Sequence, residues 1–126
     1  MNNVVDSSAW LEYFAGGPNA SHFREPLRQP EYLIVPAITL FEVFKVVARQ
    51  RGETDAIQAV ALMKQGREVA LDGSLAIQAA ELSLEYGLPM ADSIILATAR
   101  AHGAVLWTQD GDFAGLEGVR YFSKTG

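Results

Sequence analysis

A chain of 126 residues with 49% apolar residues and no cysteine fits one folded unit, residues 1–126, with a single buried core. The absence of cysteine excludes disulfides, thiolate metal sites and cysteine nucleophiles, and a net charge of −5 withholds the basic footprint usual for a nucleic-acid binder. No apolar run approaches the ~18 residues that span a bilayer, and the first residues lack the basic and apolar stretches of a signal peptide, so a soluble cytoplasmic protein without membrane contact is expected.

Apolar runs of strand length alternate with longer helical patterns. A strand at residues 4–5 is cut off by Asp6, and helices at 8–15 and 21–29 follow. A second strand at 32–35 ends at Pro36, followed by helices at 37–51 and 54–65. A third strand at 68–71 leads to helices at 74–86 and 92–102. A fourth lies at 104–107 and a fifth at 119–122. Gly52, Gly66, Gly87 and Gly103 each follow a helical pattern, where a terminating glycine belongs. Thr54 and Ser74 occupy the expected N-cap positions. In the helix at 37–51, Leu40, Phe41, Phe44, Val47 and Ala48 mark the expected buried arc. Strands separated by helices predict an α/β/α sandwich around a mostly parallel sheet of four to five strands. Functional sites in such sheets form beyond the carboxyl ends of the strands.

Acidic residues gather at those ends. Asp6 follows the first strand, and Thr108, Asp110 and Asp112 follow the fourth. Glu42 lies about two turns into the helix after the second strand, and Asp92 opens the helix leading to the fourth. Without these five acids, the remaining Asp and Glu equal the Lys and Arg at 10 each, so the whole acidic excess fits in one site. Carboxylates crowded into one cleft repel each other unless cations neutralise them. Oxygen ligands without His or Cys suit magnesium or manganese, which activate water and stabilise a phosphoryl group in transfer. Each acid also has a plain structural explanation. Asp6 and Asp92 could be helix caps, Asp110-Gly111 a turn, and Glu42 part of an ion-paired stripe with Lys45 and Arg49.

The segments VVDSSAWLEYF, VPAITLFEVFKV, LPMADSIILATARAHGA and LWTQDGDFAGLEGVRYF, in this order and spacing, resemble the PIN-domain family and within it the VapC-type toxins. The resemblance covers nearly the full length. It implies a magnesium- or manganese-dependent endoribonuclease acting on RNA, the toxin of a toxin–antitoxin pair. It also implies a cognate VapB-like antitoxin, a homodimer and a toxin–antitoxin hetero-oligomer. Asp6, Glu42, Asp92 and Asp110 match the family's acidic core and are expected to be catalytic metal ligands, with Asp112 as a further ligand. Ser7 and Thr108 match hydroxyl positions near the site.

Five basic residues, Arg24, Arg28, Lys45, Arg49 and Arg51, fall between positions 24 and 51, and Lys45 and Arg49 are candidate RNA contacts. Trp10, Tyr13 and Phe14 are candidate contributors to a partner groove, and Trp107 reads as packing. His22 and His102 have no metal-ligand spacing. Other phosphohydrolase patterns fit less well. A haloacid-dehalogenase-like site needs an acid where Ser8 stands, and no G-x-x-x-x-G-K loop is present. A receiver domain needs an acidic pair where Asp6 stands without an adjacent acid. The remaining alternatives are a catalytically weak PIN domain acting as a binding scaffold and another magnesium-dependent phosphohydrolase.

Overall fold

The computed structural model describes residues 1–124. The chain runs β1 (Asn3–Val5), α1 (Ser7–Ala15), α2 (Ala20–Leu27), β2 (Leu33–Pro36), α3 (Ala37–Arg51) and α4 (Glu53–Met63). It continues through β3 (Arg67–Val69), α5 (Gly73–Tyr86), α6 (Met90–Ala101), β4 (Val105–Thr108) and β5 (Val119–Tyr121), with short 3-10 turns at Pro30–Tyr32 and Gly111–Phe113. The five strands form one sheet in the order β3-β2-β1-β4-β5, and every pairing is parallel.

Side-chain alternation along the strands builds the layers. Val5, Leu33, Val35 and Trp107 point to one face and pack with Trp10, Phe23, Val43, Ala59 and Met63 from α1, α2, α3 and α4. Val4, Ile34 and Leu106 point to the other face, against Leu88, Ile95, Leu96 and Ala99 in and before α6. With both faces covered, the central strands read as continuous apolar runs. The strand order reverses direction at β1, so the cleft between the carboxyl ends of β1 and β4 is the topological switch point. The register Val5↔Trp107 places Asp6 beside Thr108 at that cleft.

Three local expectations are corrected. Asp72, not Ser74, caps α5 by accepting from the Leu75 N–H at 2.8 Å, and Gly52, not Thr54, precedes α4 without a side-chain cap bond. On α3 the buried residues are Thr39, Val43 and Val47, and Leu40 and Ala48 of the expected arc pack partly against the same core, whereas Phe41 is 60% exposed and Phe44 37%. The helix carries two apolar arcs, and its own periodicity cannot tell which one another element covers. The left-handed glycines behave as expected at Gly87, whose N–H closes α5 on the Ser83 carbonyl at 2.8 Å.

Candidate active site

Asp6 follows β1 and is only 2% exposed. One of its oxygens caps α1 by accepting from the Ala9 N–H at 2.9 Å, so the plain capping role and the site position coexist. The Ser8 hydroxyl donates to the same carboxylate at 2.8 Å. The fully buried Thr108 hydroxyl, at the end of β4, donates to its other oxygen at 2.6 Å. Burial pushes Asp6 up to about 6, although the bonds from Thr108, Ala9 and Ser8 pull the other way, and the Asp110 charge adds to the rise.

Thr108 links the first acid to the turn that carries the next two. Its Oγ1 accepts from the Asp110 N–H at 2.9 Å, and Asp110 Oδ1 accepts from the Asp112 N–H at 2.9 Å. Asp110 thus caps the Gly111–Phe113 turn, as its Asp-Gly pair suggests, while its carboxylate stays at the cleft. Asp92 lies in the first turn of α6 rather than at its cap, which is Pro89. Among the described residues, Asp92, Asp110 and Asp112 each bring a carboxylate oxygen within 4.8 Å of the others'. Asp92 is pushed up to about 7, first by burial, then by the charges of Asp110 and Asp6, then by a carboxyl–carboxyl hydrogen bond and charge repulsion from Asp112.

Glu42 stands outside that group of three. It is tied to the segment after Asp6 by the Ser7 hydroxyl, which donates to Glu42 Oε1 at 2.6 Å. Asp6 also lies outside the group, but its charge reaches Asp92. The acids expected from the sequence therefore fall into a tight trio, a buried neighbour held by Thr108, and a flank held by Ser7. Ser8 was not among the expected site residues. The Asp-Ser-Ser run was its only signal, since either serine can turn back onto the aspartate.

This arrangement fits a divalent cation. Three carboxylates converge, and burial together with the charges of Asp110, Asp6 and Asp112 raises the proton affinity of Asp92, a repulsion that a bound cation would offset. Asp92, Asp110 and Asp112 would hold the ion, and the charge of Asp6 acts on the same group. Hard oxygen donors without nitrogen or sulfur favour magnesium or manganese over zinc.

Beside the acids, a cavity of about 620 Å³ opens between α1, α3 and α4. Leu11, Phe14, Val47 and Leu62 are among its apolar walls, and Ser8 and Gln109 reach it from the acidic site. Gln109 is held by Asn19, whose amide donates to Gln109 Oε1 at 3.0 Å. Trp10 does not contribute to such a groove. It is 1% exposed, stacked on Phe14 in the core. Lys45 and Arg49 are exposed on α3, and the Lys45 ammonium lies 5.7 Å from the Phe41 ring centroid rather than over the acids.

Residues 4–119 match the family described as the PIN domain. No curated protein matches the sequence. Among solved structures, a toxin–antitoxin complex from Klebsiella pneumoniae is similar at 28% identity and a TM-score of 0.79, covering 94% of this chain and 96% of that one. VapC20 of Mycobacterium tuberculosis, a Sarcin-Ricin loop cleaving toxin, is similar at 24% identity and a TM-score of 0.75, with 94% of this chain and 99% of that one covered. A DNA-bound VapBC from Salmonella typhimurium shares the fold at 17% identity and a TM-score of 0.74, with 98% of each chain covered.

Proposed function

The chain belongs to the PIN-domain family, and from that premise we propose that it is a magnesium- or manganese-dependent endoribonuclease, the toxin of a toxin–antitoxin pair. The observation that carries this reading is the carboxylate trio Asp92, Asp110 and Asp112 at the switch point of a parallel sheet. Likeness to the Klebsiella pneumoniae toxin–antitoxin complex supports the toxin assignment.

Each residue has a role in this proposal. Asp92, Asp110 and Asp112 hold the cation, and Asp6 and Glu42 complete the acidic wall. The bound ion supplies a metal-activated water and stabilises charge on the phosphoryl group. Thr108 and Ser8 fix the Asp6 carboxylate, and Ser7 fixes Glu42, so the acids need no reorganisation when substrate arrives. Lys45 and Arg49 remain candidate contacts for the RNA backbone on the flank of α3. The antitoxin would lie in the cavity between α1, α3 and α4, whose inner end meets Ser8 and Gln109. A homodimer is part of the same proposal, as is an intracellular setting.

Incubating the purified protein with a mixed RNA pool tests this directly. Cleavage in magnesium, abolished by EDTA and by Asp92→Asn, is expected. Metal-independent cleavage, or none in magnesium or manganese, would overturn the proposal and favour a binding scaffold.

A further inference from the structure

The site is built from acceptors. The hydroxyls that could offset this are committed: Ser7 donates to Glu42, Ser8 to Asp6, and Thr108 to Asp6. A phosphodiester approaching the acids needs donors as well as a cation, because ionised carboxylates have none to offer.

Tyr121 supplies one. The register Thr108↔Tyr121 sets it at the end of β5, and the bond from the Phe122 N–H to the Thr108 carbonyl at 2.9 Å holds this end of the strand against β4. Strand alternation turns Arg120 toward Trp107, with its guanidinium 4.5 Å from the ring centroid, and so turns Tyr121 to the opposite face. That is the face covered by α6, whose first turn carries Asp92. The phenol reaches back over the acidic turn. Its oxygen lies 3.8 Å from where a Cβ on Gly111 would stand, between Asp110 and Asp112 in sequence. Tyr121 is 37% exposed, and its hydroxyl has no hydrogen-bond partner among the described residues.

We propose that Tyr121 is a substrate-binding residue, whose hydroxyl donates to a phosphate oxygen of the RNA strand as it crosses the Asp110–Gly111–Asp112 turn. The inference rests on the nuclease reading above. A Cβ at position 111 would meet the phenol oxygen at ordinary contact distance, which sets the hydroxyl at the edge of the turn. The rigid ring on a paired strand places the donor with little loss of side-chain freedom.

The test is Tyr121→Phe, which keeps the ring and removes the hydroxyl. Binding of a fluorescein-labelled single-stranded RNA is read by anisotropy with calcium in place of magnesium, and cleavage by steady-state kinetics in magnesium. Loss of one hydrogen bond to a charged acceptor predicts a Kd and a KM raised about tenfold, with kcat nearly unchanged. Manganese affinity by calorimetry and the melting temperature should match wild type. A Kd and KM within about twofold of wild type would overturn the inference and leave the nuclease reading intact. Weakened manganese binding in Tyr121→Phe would also overturn it, since the residue would then be shaping the turn. Wild-type protein that neither binds nor cleaves RNA would remove the nuclease reading itself, and this inference with it.

Discussion

The Thr108 hydroxyl donates to Asp6 across 102 positions of sequence, at 2.6 Å and with both residues buried. The same oxygen accepts from the Asp110 N–H. One side chain thus joins the carboxyl end of β1 to the acidic turn after β4. Thr108→Val keeps the shape and removes both bonds. It should destabilise the protein by about 1–3 kcal/mol, because buried partners lose their satisfaction. Cleavage should fall at the same time, as Asp6 loses its orientation. Chemical denaturation and a cleavage assay on the same sample would check both. Unchanged stability with unchanged cleavage would mean that Thr108 is an incidental contact.

Asp92→Asn and Asp110→Asn should each lower magnesium-dependent cleavage by about a hundredfold or more, with circular dichroism unchanged. Asp112 brings a carboxylate oxygen within 4.8 Å of those of Asp92 and Asp110, so Asp112→Asn is also expected to weaken metal binding. Calorimetric titration with manganese separates lost metal affinity from lost turnover. Full activity in Asp92→Asn is incompatible with the proposed site.

Metal-free protein should lose stability as pH rises. Asp6 and Asp92 have folded-state values of about 6 and about 7, above the usual carboxylate value of 3.8. The native state therefore binds protons more tightly than the unfolded chain. This contribution is fully present below about pH 4 and disappears as pH climbs through 6 and 7. Thermal melts in EDTA between about pH 5 and pH 8 should show the melting temperature falling as these two groups ionise. Magnesium should reverse the decline at high pH, since an ion bound only by the native state stabilises it by mass action. A flat profile in EDTA that magnesium does not alter would contradict the electrostatic picture.

The cavity and the core predict opposite phenotypes. Leu62 is 39% exposed on α4 and lines the cavity. Leu62→Ser should weaken antitoxin binding while leaving RNA cleavage and the fold intact. Trp10 is 1% exposed in the core, so Trp10→Ala should cost about 3–5 kcal/mol of stability instead. Co-purification with a co-expressed cognate antitoxin, together with melting curves, distinguishes the two. Equal antitoxin capture by Leu62→Ser and wild type would place the partner elsewhere.

The alternation of apolar runs with glycine-terminated helices carried the element order and the α/β class, because hydrophobic period and turn chemistry are local. The acids at strand ends were visible for the same reason: Asp6 and Asp110 interrupt apolar runs. Packing decided what local pattern could not. Phe41 and Phe44 share a helix with Val43, yet only Val43 meets the sheet, and Trp10 is core rather than groove. The grouping of Asp92, Asp110 and Asp112, and the bond that ties Asp6 to Thr108, depend on a parallel register between strands far apart in sequence. So does the reach of the Tyr121 hydroxyl to Gly111. Sequence spacing constrains a residue's own helix or strand, whereas distances between carboxylates and the proton affinities they set exist only once the sheet has brought the ends of β1, β4 and β5 together.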